Sequence, residues 1–158
     1  MGFHFFSALF ARSVCEMLFR TEEIGSMKPI AISENHLYQK VYAKGQKAVC
    51  KHIVVYVLTD YHASRLAREN PLKLRINRLG LTVSKKLGGA VVRSRVKRIL
   101  RAAYRQLETE HPLRKGKLIV IAARDAACRA KMQDIYGDLY YAAKKLNLIG
   151  IAPDSHEP

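Results

Sequence analysis

A chain of 158 residues, 49% of them apolar, fits one domain with a real core and a short extension or two. Its formal net charge of +15 calls for a polyanion, with nucleic acid the first candidate and an anionic membrane surface the second. No transmembrane span is present. The apolar run through residues 1–19 is interrupted by Arg12 and Glu16, and it has neither a basic leader nor a small-residue cleavage site, which argues against a signal peptide. The three cysteines, Cys15, Cys50 and Cys128, are too far apart for a zinc knuckle or a redox pair, so they are expected to be reduced thiols that pack in a cytoplasmic protein.

Residues 1–26 carry two arginines against three glutamates, so the cationic excess belongs to the remainder of the chain. The sequence restarts at Met27-Lys28-Pro29. Residues 1–27 are therefore expected to be an extension, either non-native or disordered, with an amphipathic docking helix as the alternative. Ser33-Glu34-Asn35 is a helix-start signal, and Leu37 and Val41 share a face of a short helix over His36–Ala43 that Gly45 stops. Ile53–Leu58 is β-branched and aromatic and reads as a strand. Residues 60–77 are polar, with Asn70-Pro71 marking a turn, and read as a loop or a long hairpin insertion.

Leu79, Leu81 and Val83 alternate with Gly80, Thr82 and Ser84, the period of a half-buried strand. Gly88-Gly89 breaks the chain. From Ala90, Val92, Val96, Ile99, Ala103 and Leu107 form one apolar helical stripe that ends at His111-Pro112. Leu118–Ala123, introduced by Lys117, is apolar on both faces, as a buried central strand must be. A last helix places Met132, Ile135, Leu139, Ala143 and Leu146 on one side. Residues 147–158 read as frayed, with 151–158 as a tail. The order is helix, two or three strands, helix, strand, helix, which specifies an α+β sandwich.

The charge is concentrated. Between Glu69 and Glu108 there is no acidic residue, while Lys73, Arg75, Arg78, Lys85, Lys86, Arg93, Arg95, Lys97, Arg98, Arg101 and Arg105 all fall there. Surfaces normally mix signs, so such a run repels itself unless an anion lies against it; the bland alternative is a solubilising face. On the helix, Arg93, Lys97, Arg101 and Arg105 step by four, about 6 Å apart along the axis, comparable to phosphate spacing on a strand. Arg95 and Arg98 widen that basic face. Arginine grips phosphate oxygens with two prongs, as lysine cannot.

Tyr38 and Tyr42 share one face of the first helix, and Tyr56 lies in the first predicted strand. If these elements pack together, the rings line a groove on which unpaired bases stack; ordinary core packing is the equal alternative. Gly88-Gly89 matches no nucleotide-loop pattern and reads as turn geometry ahead of a helix. No catalytic set is visible. The six histidines have no metal spacing, and carboxylates are scarce where charge is dense. Any enzymatic role therefore falls to a partner.

The segment Val83-Ser84-Lys85-Lys86-Leu87-Gly88-Gly89-Ala90-Val91-Val92-Arg93-Ser94-Arg95-Val96-Lys97-Arg98-Ile99-Leu100-Arg101 resembles the signature of the bacterial ribonuclease P protein family. Ser33-Glu34-Asn35-His36, Tyr38–Gly45, Ile53–Leu58, Lys117–Arg124 and the final Lys144-Lys145-Leu146-Asn147-Leu148 resemble its other elements, in the right order over residues 28–150. The resemblance implies an αβββαβα sandwich similar to the second domain of ribosomal protein S5, with a left-handed βαβ crossover. It implies an endoribonuclease subunit in the cytoplasm whose catalytic RNA, with Mg²⁺ bound mainly by that RNA, removes the 5′ leader of precursor tRNA. No further protein partner and no membrane are expected.

By the same resemblance, Lys85, Lys86, Arg93, Ser94, Arg95, Lys97, Arg98 and Arg101 meet RNA, and Tyr38, Tyr42 and Tyr56 hold the leader. Catalytic and metal-ligating residues are expected to be absent from the protein. Ser94 stands where the family usually has asparagine, and Gly89 replaces a commonly polar residue. The 60–77 stretch is longer than usual. The alternatives are a ribosomal or general RNA-binding protein of the same fold, and a cationic membrane-surface protein.

Overall fold

The computed structural model describes residues 30–62, 65, 68 and 77–150. The expectations for residues 1–27, for the tail at 151–158 and for most of the 60–77 excursion fall outside them, whereas 147–150, expected to fray, are held in place, with Leu148 buried and Ile149 bridged to Leu113. The elements in chain order are β1 (Ile30–Ala31), α1 (Asn35–Lys44), β2 (Gln46–Val49), β3 (Ile53–Thr59), β4 (Arg78–Thr82), α2 (Ala90–Glu110), β5 (Lys117–Ala123) and α3 (Met132–Lys145). They form the expected αβββαβα order, with one addition: the two-residue β1, which pairs with β4. β2 had no clear signal in the sequence because it is an edge strand in which only Ala48 is buried.

The five strands lie in the order β1-β4-β5-β3-β2. β5 sits at the centre, parallel to β4 and antiparallel to β3, with Leu79, Ile119 and Val57 in one row and Gly80, Val120 and Tyr56 in the next. Its side chains serve two cores. Ile119 and Ile121 pack with Val55, Leu79 and the inner faces of α2 and α3, whereas Leu118 and Val120 pack with Leu37 and Val41 of α1. The run that reads as apolar on both faces is therefore buried on both faces, as a strand between two helical layers must be.

The α2 connection between parallel β4 and β5 is left-handed, and chirality shows it. The Leu79 side chain packs in the α2/α3 core, while its carbonyl accepts the Ile32 N–H next to β1, at 3.0 Å. For an L-residue seen from its side-chain face with the strand running upward, N–H and C=O point right. β1 therefore lies to the right of β4 and β5 to its left, against the usual hand.

Polar groups close the ends of the sheet. Asn77, buried, donates from Nδ2 to the Arg114 carbonyl and accepts the Lys117 N–H on Oδ1, both at 3.0 Å. Buried Asp60 accepts from the Arg78 guanidinium at 2.6 Å, and its own N–H reaches the Gly116 carbonyl. The 60–77 excursion thus leaves and returns through one pinned site. At the far end, Asp138 of α3 accepts the His52 backbone N–H at 2.8 Å and lies 3.0 Å from His52 Nδ1, which fixes the β2–β3 turn. Cys50, buried as expected of a packing thiol, donates to the Asp138 carbonyl, and burial pushes its pKa up.

Asn77→Ala leaves the part-buried Arg114 carbonyl and Lys117 N–H without their partner, at about 1–2 kcal/mol each. Urea unfolding is expected to show a lower midpoint, corresponding to a loss of about 2–4 kcal/mol, with an unchanged slope.

Candidate RNA-binding face

Most of the residues singled out for RNA meet at one edge of the sheet. Thr82, Ala122 and Val54 are in register there. Beyond that row the chain leaves β4 into Ser84-Lys85-Lys86, leaves β5 into Arg124, and enters β3 from Lys51 and His52. Lys51, Lys85, Lys86 and Arg124 are all exposed. Arg124 and Lys51 were not among the expected site residues, because only the strand register brings them beside Lys85. Arg124 is held in place: its guanidinium donates to the Cys50 carbonyl at 2.8 Å, and its N–H to the His52 carbonyl at 2.9 Å.

The turn into α2 is built by its glycines. Lys85–Leu87 form one tight turn whose Ser84 hydroxyl accepts the Lys86 N–H. Gly88 follows at φ +132°, a conformation open to glycine and strained for any other residue. Gly89 then caps α2 without a side chain, so the first N–H groups of a long helix have no side-chain acceptor.

α2 runs for 21 residues, about 30 Å. Its buried face is Val96, Leu100, Ala103, Tyr104 and Leu107, with Ile99 half-buried. That corrects the predicted stripe. Val92 is 36% exposed and Val91 83% exposed, because the first turn of α2 stands by the lysine turn and not over the core. Leu100 and Tyr104 take the core positions instead. On the other sides Ser94, Arg95, Arg98, Arg101 and Arg105 are exposed, and Arg93 and Lys97 are half-buried. Among the described residues the buried Nε of Arg93 has no acceptor.

Arg95 reaches back to the Asp125–Cys128 turn, donating to the Cys128 carbonyl at 3.0 Å, while the Cys128 thiol donates to the Leu87 carbonyl at 3.3 Å. The lysine turn, the 125–128 turn and the first half of α2 are thereby tied into one unit. Nothing in the sequence spacing signals this link.

The three tyrosines divide by role. Tyr42 and Tyr56 meet edge to face with ring centroids 4.9 Å apart, and the Tyr42 hydroxyl is 2.8 Å from the Thr82 hydroxyl. Tyr42 remains 40% exposed, and Val54, Ala122 and Thr82 beside it are only half-buried. The sheet is thus uncovered at this end, forming a shallow aromatic-walled groove that opens onto the basic edge. Tyr38 is committed to the fold. The phenol end of its ring packs against Gly80, where an added Cβ would come within 2.7 Å of it, and its hydroxyl donates to the Ile32 carbonyl at 3.2 Å. Burial raises its pKa, as does Tyr42 nearby.

Among the described residues no three His, Cys, Asp or Glu side chains converge to hold a metal, and no helix is long and apolar enough to cross a membrane. The face is a rigid, cationic, aromatic-edged surface.

Comparison with known proteins agrees with this chemistry. The sequence model of the Ribonuclease P family matches residues 27–147. The ribonuclease P protein component of Alkaliphilus oremlandii is 34% identical over 121 residues, covering 77% of this chain and 94% of that protein. That of Clostridium acetobutylicum is 35% identical over 123 residues, covering 78% and 93%. In structure, the RNase P protein of Staphylococcus aureus superposes with a TM-score of 0.60 at 28% identity, covering 78% of this chain and all of that one. The RNase P protein of Thermotoga maritima shares the fold at a TM-score of 0.52 and 21% identity, over 66% of this chain and 86% of that one. The chain belongs to the bacterial ribonuclease P protein family, the protein component of an RNA–protein endonuclease of tRNA processing.

Proposed function

We propose that this protein binds the catalytic RNA through the basic edge and α2, and holds the single-stranded 5′ leader of precursor tRNA in the Tyr42/Tyr56 groove. The observation that carries the reading is adjacency. The groove, able to stack unpaired bases, opens at Thr82, and Lys85, Lys86 and the start of α2 follow directly after it in the chain. One strand of RNA can lie in the groove while a folded RNA is gripped beside it. Bases stack on aromatic faces without regard to sequence, which suits leaders of differing sequence.

Each cation has a share in this reading. Arg95, braced by the Cys128 carbonyl, offers its remaining donors in a fixed direction. Arg93 is half-buried, so the part of its guanidinium that remains exposed is what a phosphate can reach. Lys97, Arg98 and Arg101 continue the contact along the helix, with the Ser94 hydroxyl between them. The uncapped N–H groups after Gly89 add a partial positive charge beside Lys85 and Lys86. Tyr38 supports the groove from beneath by holding α1 against β4.

The Mg²⁺ that the reaction uses is assigned to the RNA. Lysine and arginine side chains repel a divalent cation, and the described residues offer no acidic cradle for one. The protein's own contribution is binding: it lowers the repulsion between two polyanions and positions the substrate strand. Assignment to the cytoplasm follows from that partner.

The first test is to mix the protein with a bacterial ribonuclease P RNA at low Mg²⁺ and follow precursor tRNA cleavage. Strong stimulation giving the mature 5′ end, with no cleavage by protein alone, is expected; tight RNA binding without stimulation would leave only a general RNA-binding protein. With about six phosphate contacts, the logarithm of the binding constant for single strands should fall with that of salt at a slope of about −4. Arg95→Ala is expected to weaken binding to the catalytic RNA about tenfold in filter-binding assays, the worth of one charged hydrogen bond. Tyr56→Ala is expected to cost about 1–3 kcal/mol of affinity for leader-bearing substrate and to spare mature tRNA. Equal loss for both would remove the groove from the reading.

A further inference from the structure

The outer face of α3 has features that a single copy of the chain does not account for. Burial takes Ile135, Leu139, Ala142 and Ala143. On the other side Gln133, Asp134, Gly137, Tyr141, Lys144 and Lys145 step by three and four and are all exposed. Gly137 stands in the middle of that stripe. A glycine inside a helix is destabilising relative to alanine, because it loses more backbone freedom on folding. Nothing in the fold requires one here. Its φ is not positive, and an added Cβ would meet no atom outside its own turn of helix within 4 Å. One turn later, Tyr141 is 58% exposed and has no hydrogen bond or ring contact among the described residues.

The charge of this face differs from that of the RNA-binding face. α3 holds two aspartates, Asp134 and Asp138, and two lysines, Lys144 and Lys145, so its side chains sum to zero in a chain of +15. Such a face does not draw a polyanion as α2 does. Its charges are also sorted, with Asp134 in the first turn and both lysines in the last. Asp134 accepts the Lys131 N–H on one oxygen, and its other oxygen is free among the described residues. Sorting of this kind complements the helix dipole. It also makes the face complementary to its own reverse.

An antiparallel copy of α3, related by a two-fold axis at the level of Leu139, brings these features together. Tyr141 then lies opposite the partner's Gly137, and Gly137 opposite the partner's Tyr141. Each ring enters the space that a side chain at 137 would fill. The same register sets Asp134 opposite the partner's Lys144 and Gln133 opposite the partner's Lys145, and symmetry makes each pair twice.

We infer that the outer face of α3 is a homodimer contact, with Tyr141 of one copy seated on Gly137 of the other. None of the residues assigned to RNA is in α3, so the pairing uses none of them. A single helix of 14 residues, about 21 Å long, buries less than the roughly 1,200–2,000 Å² of a stable interface. Two bodies of +15 also repel each other. The dimer is therefore weak in the free protein.

The test is sedimentation equilibrium of the full chain, free of RNA, in about 0.5 M salt, where long-range repulsion is screened. The average mass is expected to rise from monomer towards dimer as the protein concentration passes through the high micromolar range. Gly137→Leu is expected to raise the dissociation constant about tenfold or more, because it fills the seat of the ring. Its thermal midpoint is expected to be unchanged or higher, since leucine suits a helix better than glycine and its Cβ meets no neighbour. The register is tested by charge exchange. Asp134→Lys and Lys144→Glu each set like charges across both symmetric contacts, and each is expected to weaken association. The bond lost from Asp134 is exposed to solvent, so the fold survives the change. An equimolar mixture of the two variants is expected to associate again, because both cross contacts then join opposite charges.

A wild-type protein that stays monomeric over the whole range overturns the inference. Association that Gly137→Leu leaves unchanged overturns it as well, and moves the contact elsewhere in the chain. A mixture no tighter than either charge variant alone removes the antiparallel register and the inference with it. If the wild-type protein is monomeric and Gly137→Leu weakens binding of ribonuclease P RNA, the face belongs to the RNA and the homodimer falls.

Discussion

Everything in this fold hangs on β5. It is paired on both edges and buried on both faces, so it carries the contact between the α1 layer and the α2/α3 layer as well as the continuity of the sheet. A strand in that position has to be apolar throughout, and Leu118–Ile121 are all buried. Because those residues supply the apolar contacts, the helices that pack on them can give their outer faces to charge. The dense positive field of α2 is tolerable because its inner face, from Val96 to Leu107, is anchored by burial rather than by ion pairs.

The two working surfaces follow from how far the helices extend over the sheet. α1 covers Leu118 and Val120 and stops short of Ala122 and Val54, which leaves the groove. α2 begins beyond the sheet edge, which leaves its first turn and its basic side chains free. The left-handed connection gives α2 its starting point next to the end of β4, at the same edge as the groove. The partly covered aromatic end of the sheet and the basic start of α2 are thus neighbouring faces of one fold, and the function proposed above uses both.

Much of this was legible in the sequence because it depends on local period. β5 shows as an uninterrupted apolar run, α2 as a helical stripe beside a ridge of arginines, and Gly88 as a break that only glycine makes easily. What was not legible depends on partners far along the chain. β2 has a single buried residue, so its strand character comes from pairing with β3 and leaves no alternation to read. Val92 fits the stripe by spacing, but it lies where the sheet has ended. Leu100 and Tyr104 fit equally well, and the choice depended on where the sheet lies beneath the helix. Tyr38 resembles Tyr42 in sequence, yet the absence of a side chain at Gly80 seats it against β4 and makes it a support for the groove. Arg124 joins the basic edge by strand register, and Arg95 is fixed by a carbonyl 33 residues away.

The pinned site at the base of the excursion has a consequence for engineering. Asp60 and Asn77 hold the two ends of the intervening segment side by side through bonds to Arg78, Gly116, Arg114 and Lys117. The closure entropy of a flexible connection rises only by about 0.6 kcal/mol for each doubling of its length. A change at either anchor costs more, because it removes hydrogen bonds made by buried side chains. The pinned base stands at the opposite end of the sheet from the basic edge, so a tag or a second domain grafted between the anchors would enter and leave the fold away from that edge.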